Sequence, residues 1–144
     1  MTAHINPALG ATISRIGLGL VLLAHSLYLK AFVFTLPGTA AFFESIGLPG
    51  ISAYAVFAIE VVAGSALLLG IGTRVAAAAV MPVLLGATWA HLDAGWLFTN
   101  GGGGWEYPAF LALVALAQIF LGSGAYALSA ANVTRRTPVP AAEG

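Results

Sequence analysis

The chain has no cysteine. Disulfides, thiolate metal centres and CxxC redox chemistry are therefore excluded within the chain itself. Charge is almost as scarce, with Asp, Glu, Lys and Arg making up 7% of its 144 residues, whereas a water-soluble domain carries roughly 25%. Five basic and five acidic side chains cancel to a formal net charge of zero. No clustered set of cations is present to neutralise a phosphate backbone, so nucleic acid is not expected as a partner. HxxH, HxxxH and ExxH spacings are missing too, and no metal site is assigned. The glycine-rich stretch 100–104 lacks the lysine and hydroxyl of a phosphate loop and reads as a hinge or lid.

What the chain has is hydrophobicity: 60% of residues are apolar and the mean hydropathy is +0.97. That places it in a lipid bilayer. The most informative stretch runs from Tyr54 to Arg74, an apolar segment long enough to cross a membrane that carries one acid, Glu60. A carboxyl at that depth is costly without a partner, which makes Glu60 a candidate functional residue.

Four apolar segments, 13–33, 51–71, 75–92 and 107–128, predict an all-α membrane protein, a four-transmembrane-helix bundle forming one domain over 1–144. Arg15 followed by IGLGLVLLA is like the start of a signal peptide, but the apolar run continues past His25 without an A-x-A site and reads as a helix. Residues 1–11 read as a soluble end and 129–144 as a flexible tail. Between prolines, 34–50 holds a short amphipathic patch expected in the membrane interface. Gly72-Thr73-Arg74 is a very short connection that should make the second and third helices antiparallel neighbours. Arg15, Arg74, Arg135 and Arg136 fall on one side, opposite Lys30, Glu44, Asp93 and Glu106. By the positive-inside tendency both termini are cytoplasmic and both long loops face outward, into the periplasm or cell exterior.

Counting along the helices puts His25 about 12 Å and Glu60 about 13 Å below the outer surface, so the two are expected to pair. Lys30 lies five residues beyond His25. In an α-helix it is turned by about 140° onto the face of Ser26, and is expected to snorkel outward. His91 and Glu106 lie above the pair. The expectation is an outward-facing pocket with His25, Glu60 and His91 as candidate catalytic residues, Lys30 and Glu106 at its mouth as cofactor-binding residues, and Trp105 covering it. A carboxylate beside an imidazole can exchange a proton or orient a quinone carbonyl. The same pair can also do no more than lock helix register. Gln118 is expected to bond across helices near the level of Gly64 and Ser65.

These residues occur in a familiar order: Arg15-Ile16-Gly17-Leu18-Gly19, His25 with Lys30, Phe42-Phe43-Glu44 before Gly47-Leu48-Pro49, and Glu60 in EVVAGSALLLGIGTR. His91, Gly104-Trp105-Glu106-Tyr107-Pro108 and Gly122-Ser123-Gly124-Ala125-Tyr126-Ala127-Leu128 follow. Over residues 13–129 the chain resembles the DoxX family of small bacterial membrane proteins. That resemblance implies a four-helix membrane fold and marks Arg15, His25, Lys30, Glu60, His91 and Glu106. It also implies a link to membrane-associated oxidoreductase assemblies or thiol stress, since relatives include the membrane subunit of a thiosulfate:quinone oxidoreductase. Ser26 departs from the glycine usual after the family's first-helix histidine. The expected function is an integral membrane subunit of a redox-linked, quinone-interacting assembly. Quinone is the expected cofactor, and no haem, flavin or iron–sulfur ligand set is visible. The expected partners are the bilayer and a membrane or periplasmic protein, or a second copy of the chain. The alternative is a non-catalytic anchor or assembly scaffold for a partner protein.

Overall fold

Helix starts and stops set the architecture. The computed structural model describes residues 6–128. Residues 129–144, expected as a flexible tail, with Arg135 and Arg136 among them, lie outside the described residues. Asn6 accepts a hydrogen bond from the Leu9 N–H at 3.0 Å and Pro7 fills the first turn, so α1 spans Pro7–Leu23 and starts before the predicted position 13. It continues without interruption as a π-helical segment, Ala24–Val33. The wider winding shows at its end, where the Phe34 N–H donates to the Leu29 carbonyl, five residues back, at 2.8 Å. Thr35, at φ 62°, turns the chain, and its hydroxyl accepts from Gly38 N–H to cap α2, Leu36–Ser45. The amphipathic patch is therefore a helix, resting on α3 and the π-helical segment.

α3 spans Ile51–Leu69 and ends at Gly70 in the left-handed region; Gly72, also left-handed, precedes α4, Thr73–Ala90. A 3₁₀ turn, Leu92–Ala94, opens the loop to α5, Glu106–Leu121. The last apolar run stops seven residues short of 128 because Gly122 (φ 75°) and Gly124 (φ 67°) leave helical geometry. Pro7–Val33, Ile51–Leu69 and Thr73–Ala90 are long and apolar enough to cross a membrane; Glu106–Leu121 is apolar but shorter.

α1 packs on α3 and α5, α3 on α4, and α4 on α5. Leu18, Leu22, Leu67, Val80, Leu84 and Leu111 fill the centre, with Ala63, Ala77 and Ala115 letting the helices close in. Outward faces are as apolar as the centre: Phe32 is 80% exposed and Val75 75%. Such a surface needs acyl chains over it.

Where α1 crosses α3, Gly19 and Gly64 meet. A Cβ on Gly64 would lie 3.0 Å from Leu23 Cγ and 3.2 Å from the Gly19 carbonyl oxygen. Gly64→Val is therefore expected to force the helices apart and cost about 1–3 kcal/mol, the range for overpacking. Thermal unfolding in maltoside micelles measures it, and an unchanged midpoint would contradict the crossing.

The end where α3 gives way to α4 is closed by Arg15, only 1% exposed. Its Nη1 donates to the carbonyls of Leu67 (2.5 Å) and Leu68 (2.7 Å), and its Nε to that of Ser123 (3.0 Å). Leu67 and Leu68 lie in the last turn of α3, whose carbonyls have no partner within the helix and carry its negative dipole end. The same guanidinium holds the segment after α5. There Thr12 Oγ1 donates to the Ala125 carbonyl at 2.7 Å, and Ala125 and Leu128 N–H groups donate to Ala8 and Leu69 carbonyls. Gln118, fully buried, donates to the Gly122 carbonyl of its own chain turn rather than to α3.

Candidate functional site

The acid in α3 finds its partner on the π-helical segment. Lys30 Nζ donates to both carboxylate oxygens of Glu60, at 2.8 and 2.6 Å, with side-chain exposures of 17% and 6%. It is the one ion pair among the described residues. This corrects the expected pairing of Glu60 with His25 and the outward course of Lys30. The cause is local: the wider i→i+5 winding turns Lys30 less far from His25 than α winding would, which leaves it nearer the side of His25. Placed there, the ammonium meets a carboxylate that the apolar α3 could not otherwise hold.

His25 does not bond Glu60. Its Nδ1 lies 2.9 Å from the Val21 carbonyl, and its ring is stacked on Tyr107, at the start of α5, with centroids 5.9 Å apart and planes at 27°. Ser26, fully buried between them in sequence, donates to the Leu22 carbonyl at 2.9 Å. His91 caps α4, with Nδ1 2.7 Å from the Ala87 carbonyl and its ring beside Gly103. No three His, Asp or Glu side chains among the described residues come together closely enough to share a metal ion. Each imidazole thus bonds a carbonyl of its own helix, and neither histidine hydrogen-bonds Glu60.

Glu106 and Trp105 belong to a different feature. The Glu106 carboxylate accepts from the Phe98 N–H at 2.9 Å, and Trp105 meets Trp96 edge to face, centroids 4.5 Å apart at 88°. Backbone bonds from Trp105 to Gly95 and from Glu106 to Trp96 fasten the loop, and Asn100 Nδ2 donates to Ala94. Gly104 is buried within it, and a Cβ there would strike the Trp96 and Leu97 carbonyls. The glycines of this loop serve tight backbone closure. Beside them lies an open cleft of about 530 Å³, with walls of Trp96, Phe98, Trp105, Tyr107 and Phe110. Tyr107 joins the two features, one side lining the cleft and its ring against His25.

Sequence reasoning named His25, Lys30, Glu60, His91, Trp105 and Glu106 but not their grouping, and it did not single out Phe98 or Phe110. It missed the structural weight of Arg15, although a cation inside an apolar run was itself the signal.

Apolar helices, lipid-facing surfaces and one buried ion pair define a helical membrane protein. Residues 10–93 match the family model DoxX, and the chain belongs to the DoxX family. It is also 34% identical over 79 residues to a Bacillus subtilis (strain 168) protein described as "Putative oxidoreductase CatD", covering 55% of this chain and 57% of that one. The chain thus spans little more than half of that relative's length. No solved structure matches it.

Proposed function

We propose that the chain is a multi-pass subunit of the bacterial inner membrane that couples proton exchange to a quinone-linked oxidoreductase assembly. The observation that carries this reading is the Lys30–Glu60 pair between the π-helical segment and α3, with His25 on the same segment stacked on Tyr107. Buried ionisable groups in membrane helices are rare and expensive, and they mark proton relays and ligand sites. Glu60 and His25 serve as proton-exchanging groups, Lys30 holds the carboxylate, and His91, Glu106 and Trp105 lie toward the outer mouth. Membership of the DoxX family and the oxidoreductase description of the relative support the redox assignment. Electrons come from the quinone or from a partner membrane or periplasmic protein, since no ligand set for haem, flavin or an iron–sulfur cluster is visible in the sequence.

Glu60→Gln tests it, because the amide keeps an acceptor for Lys30 Nζ but cannot exchange the proton. Membrane vesicles carrying the variant are expected to lose most of the chain-dependent oxidation of a short-chain quinol, with the protein still folded by size-exclusion profile. Unchanged turnover would leave the pair a structural clamp and favour the anchor reading.

Four crossings with both termini cytoplasmic complete the proposal, α5 being the short fourth span. The lack of native cysteine makes this directly readable. Asn100→Cys, in the loop before α5, is expected to react with an impermeant maleimide in intact spheroplasts. Ile71→Cys, in the α3–α4 turn, is expected to react only after lysis. The reverse pattern would invert the topology.

A further inference from the structure

The tryptophan cleft has a composition that the proton-exchange reading does not use. Five aromatic rings meet there: the edge-to-face pair Trp96 and Trp105, then Phe98, Tyr107 and Phe110. Its volume, about 530 Å³, lies within the range of small-molecule sites. Glu106 is the one charged residue lining it. Its carboxylate accepts the Phe98 N–H and forms no ion pair among the described residues. Aromatic rings present negative faces, and perpendicular rings present such faces along two directions at once. A carboxylate set among them adds full negative charge beside the rings.

We propose that this cleft binds a lipophilic organic cation, an ammonium or phosphonium bearing alkyl or aryl groups. A neutral apolar ligand would satisfy the rings and leave Glu106 unused. A small hydrated metal ion would find one carboxylate, since no group of three His, Asp or Glu side chains that could hold a metal exists among the described residues. A bulky, weakly hydrated cation matches both the apolar walls and the charge. Either a free cation or the trimethylammonium of a choline lipid presents this chemistry.

The test uses the full chain in maltoside micelles, with tetraphenylphosphonium as probe and tryptophan fluorescence as readout. Saturable binding is expected, weakened about tenfold or more by Glu106→Gln and by Trp105→Leu, since a desolvated cation–π contact or charge is worth that factor. Glu106→Gln retains an acceptor for the Phe98 N–H, and an unaltered circular dichroism spectrum and melting midpoint confirm that the loop is intact. Triphenylphosphine oxide, neutral and of similar shape, is expected to bind far more weakly. Equal binding of the neutral compound, or an unchanged affinity in Glu106→Gln, would overturn the proposal. Repeating the titration in nanodiscs with and without phosphatidylcholine separates the sources: competition by the choline lipid makes its headgroup the occupant, and no competition makes it a free cation. Quinol turnover plays no part in these readings, so this site and the Glu60 relay stand or fall separately.

Discussion

Lys30→Met is expected to destabilise the protein by about 3–5 kcal/mol, the cost of leaving one member of a buried ion pair alone. Glu60 is 6% exposed at its side chain, and both its oxygens are held by the same Nζ. Water cannot replace that ammonium at a site enclosed by apolar helices. The double variant Lys30→Met/Glu60→Leu removes both charges and is expected to recover most or all of the loss, because apolar replacement of a buried pair is often neutral or stabilising. Thermal unfolding of the two variants in the same detergent gives the comparison. If single and double variants fall equally, the loss comes from packing around the stem of Lys30 and the pairing carries little energy. Recovery of stability in the double variant, together with loss of quinol turnover, would separate what the pair does for the fold from what it does for function.

Arg15→Met is the second large effect, expected at about 3 kcal/mol or more, since hydrogen bonds from a charged donor contribute about 1.5–3 kcal/mol each. No carboxylate faces this buried cation among the described residues. Its charge is balanced by carbonyl dipoles at the end of α3 and by the carbonyls of Ser123 and Ala125. Arg15→Lys keeps the charge but cannot span acceptors on two separate segments. It is expected to recover less than half of the loss in melting midpoint. Full rescue by lysine would mean that charge alone matters and that the fork geometry does not.

The apolar runs were legible because membrane helices announce themselves by length and hydropathy, and Gly72 and Pro108 punctuate them. Their ends were less so. α1 starts at Pro7 because of one side-chain cap, and α5 stops at Leu121 because two glycines follow, although the apolar composition runs on to Leu128. Of the candidate site, Glu60 stood out as a lone acid and His25 as its equal in depth. Lys30 was misplaced because a constant 3.6-residue turn was assumed, and no residue pattern in AHSLYLKAFV declares π winding. Arg15 was read as a topology marker, since counting charges does not reveal which carbonyls a guanidinium can reach. His91 and Glu106 share an end of the molecule with the pair, but the bonds that turn them aside depend on loop geometry that composition leaves open.

The arginine clasp also has a history in time. Its acceptors at Ser123 and Ala125 are 108 and 110 residues further along the chain, and at a synthesis rate of about 10 residues per second they emerge about ten seconds after Arg15 itself. The acceptors at Leu67 and Leu68 lie 52 and 53 residues along and emerge about five seconds after Arg15. The first helix therefore precedes every interhelical partner of its cation, and the clasp is complete only when the segment after α5 arrives.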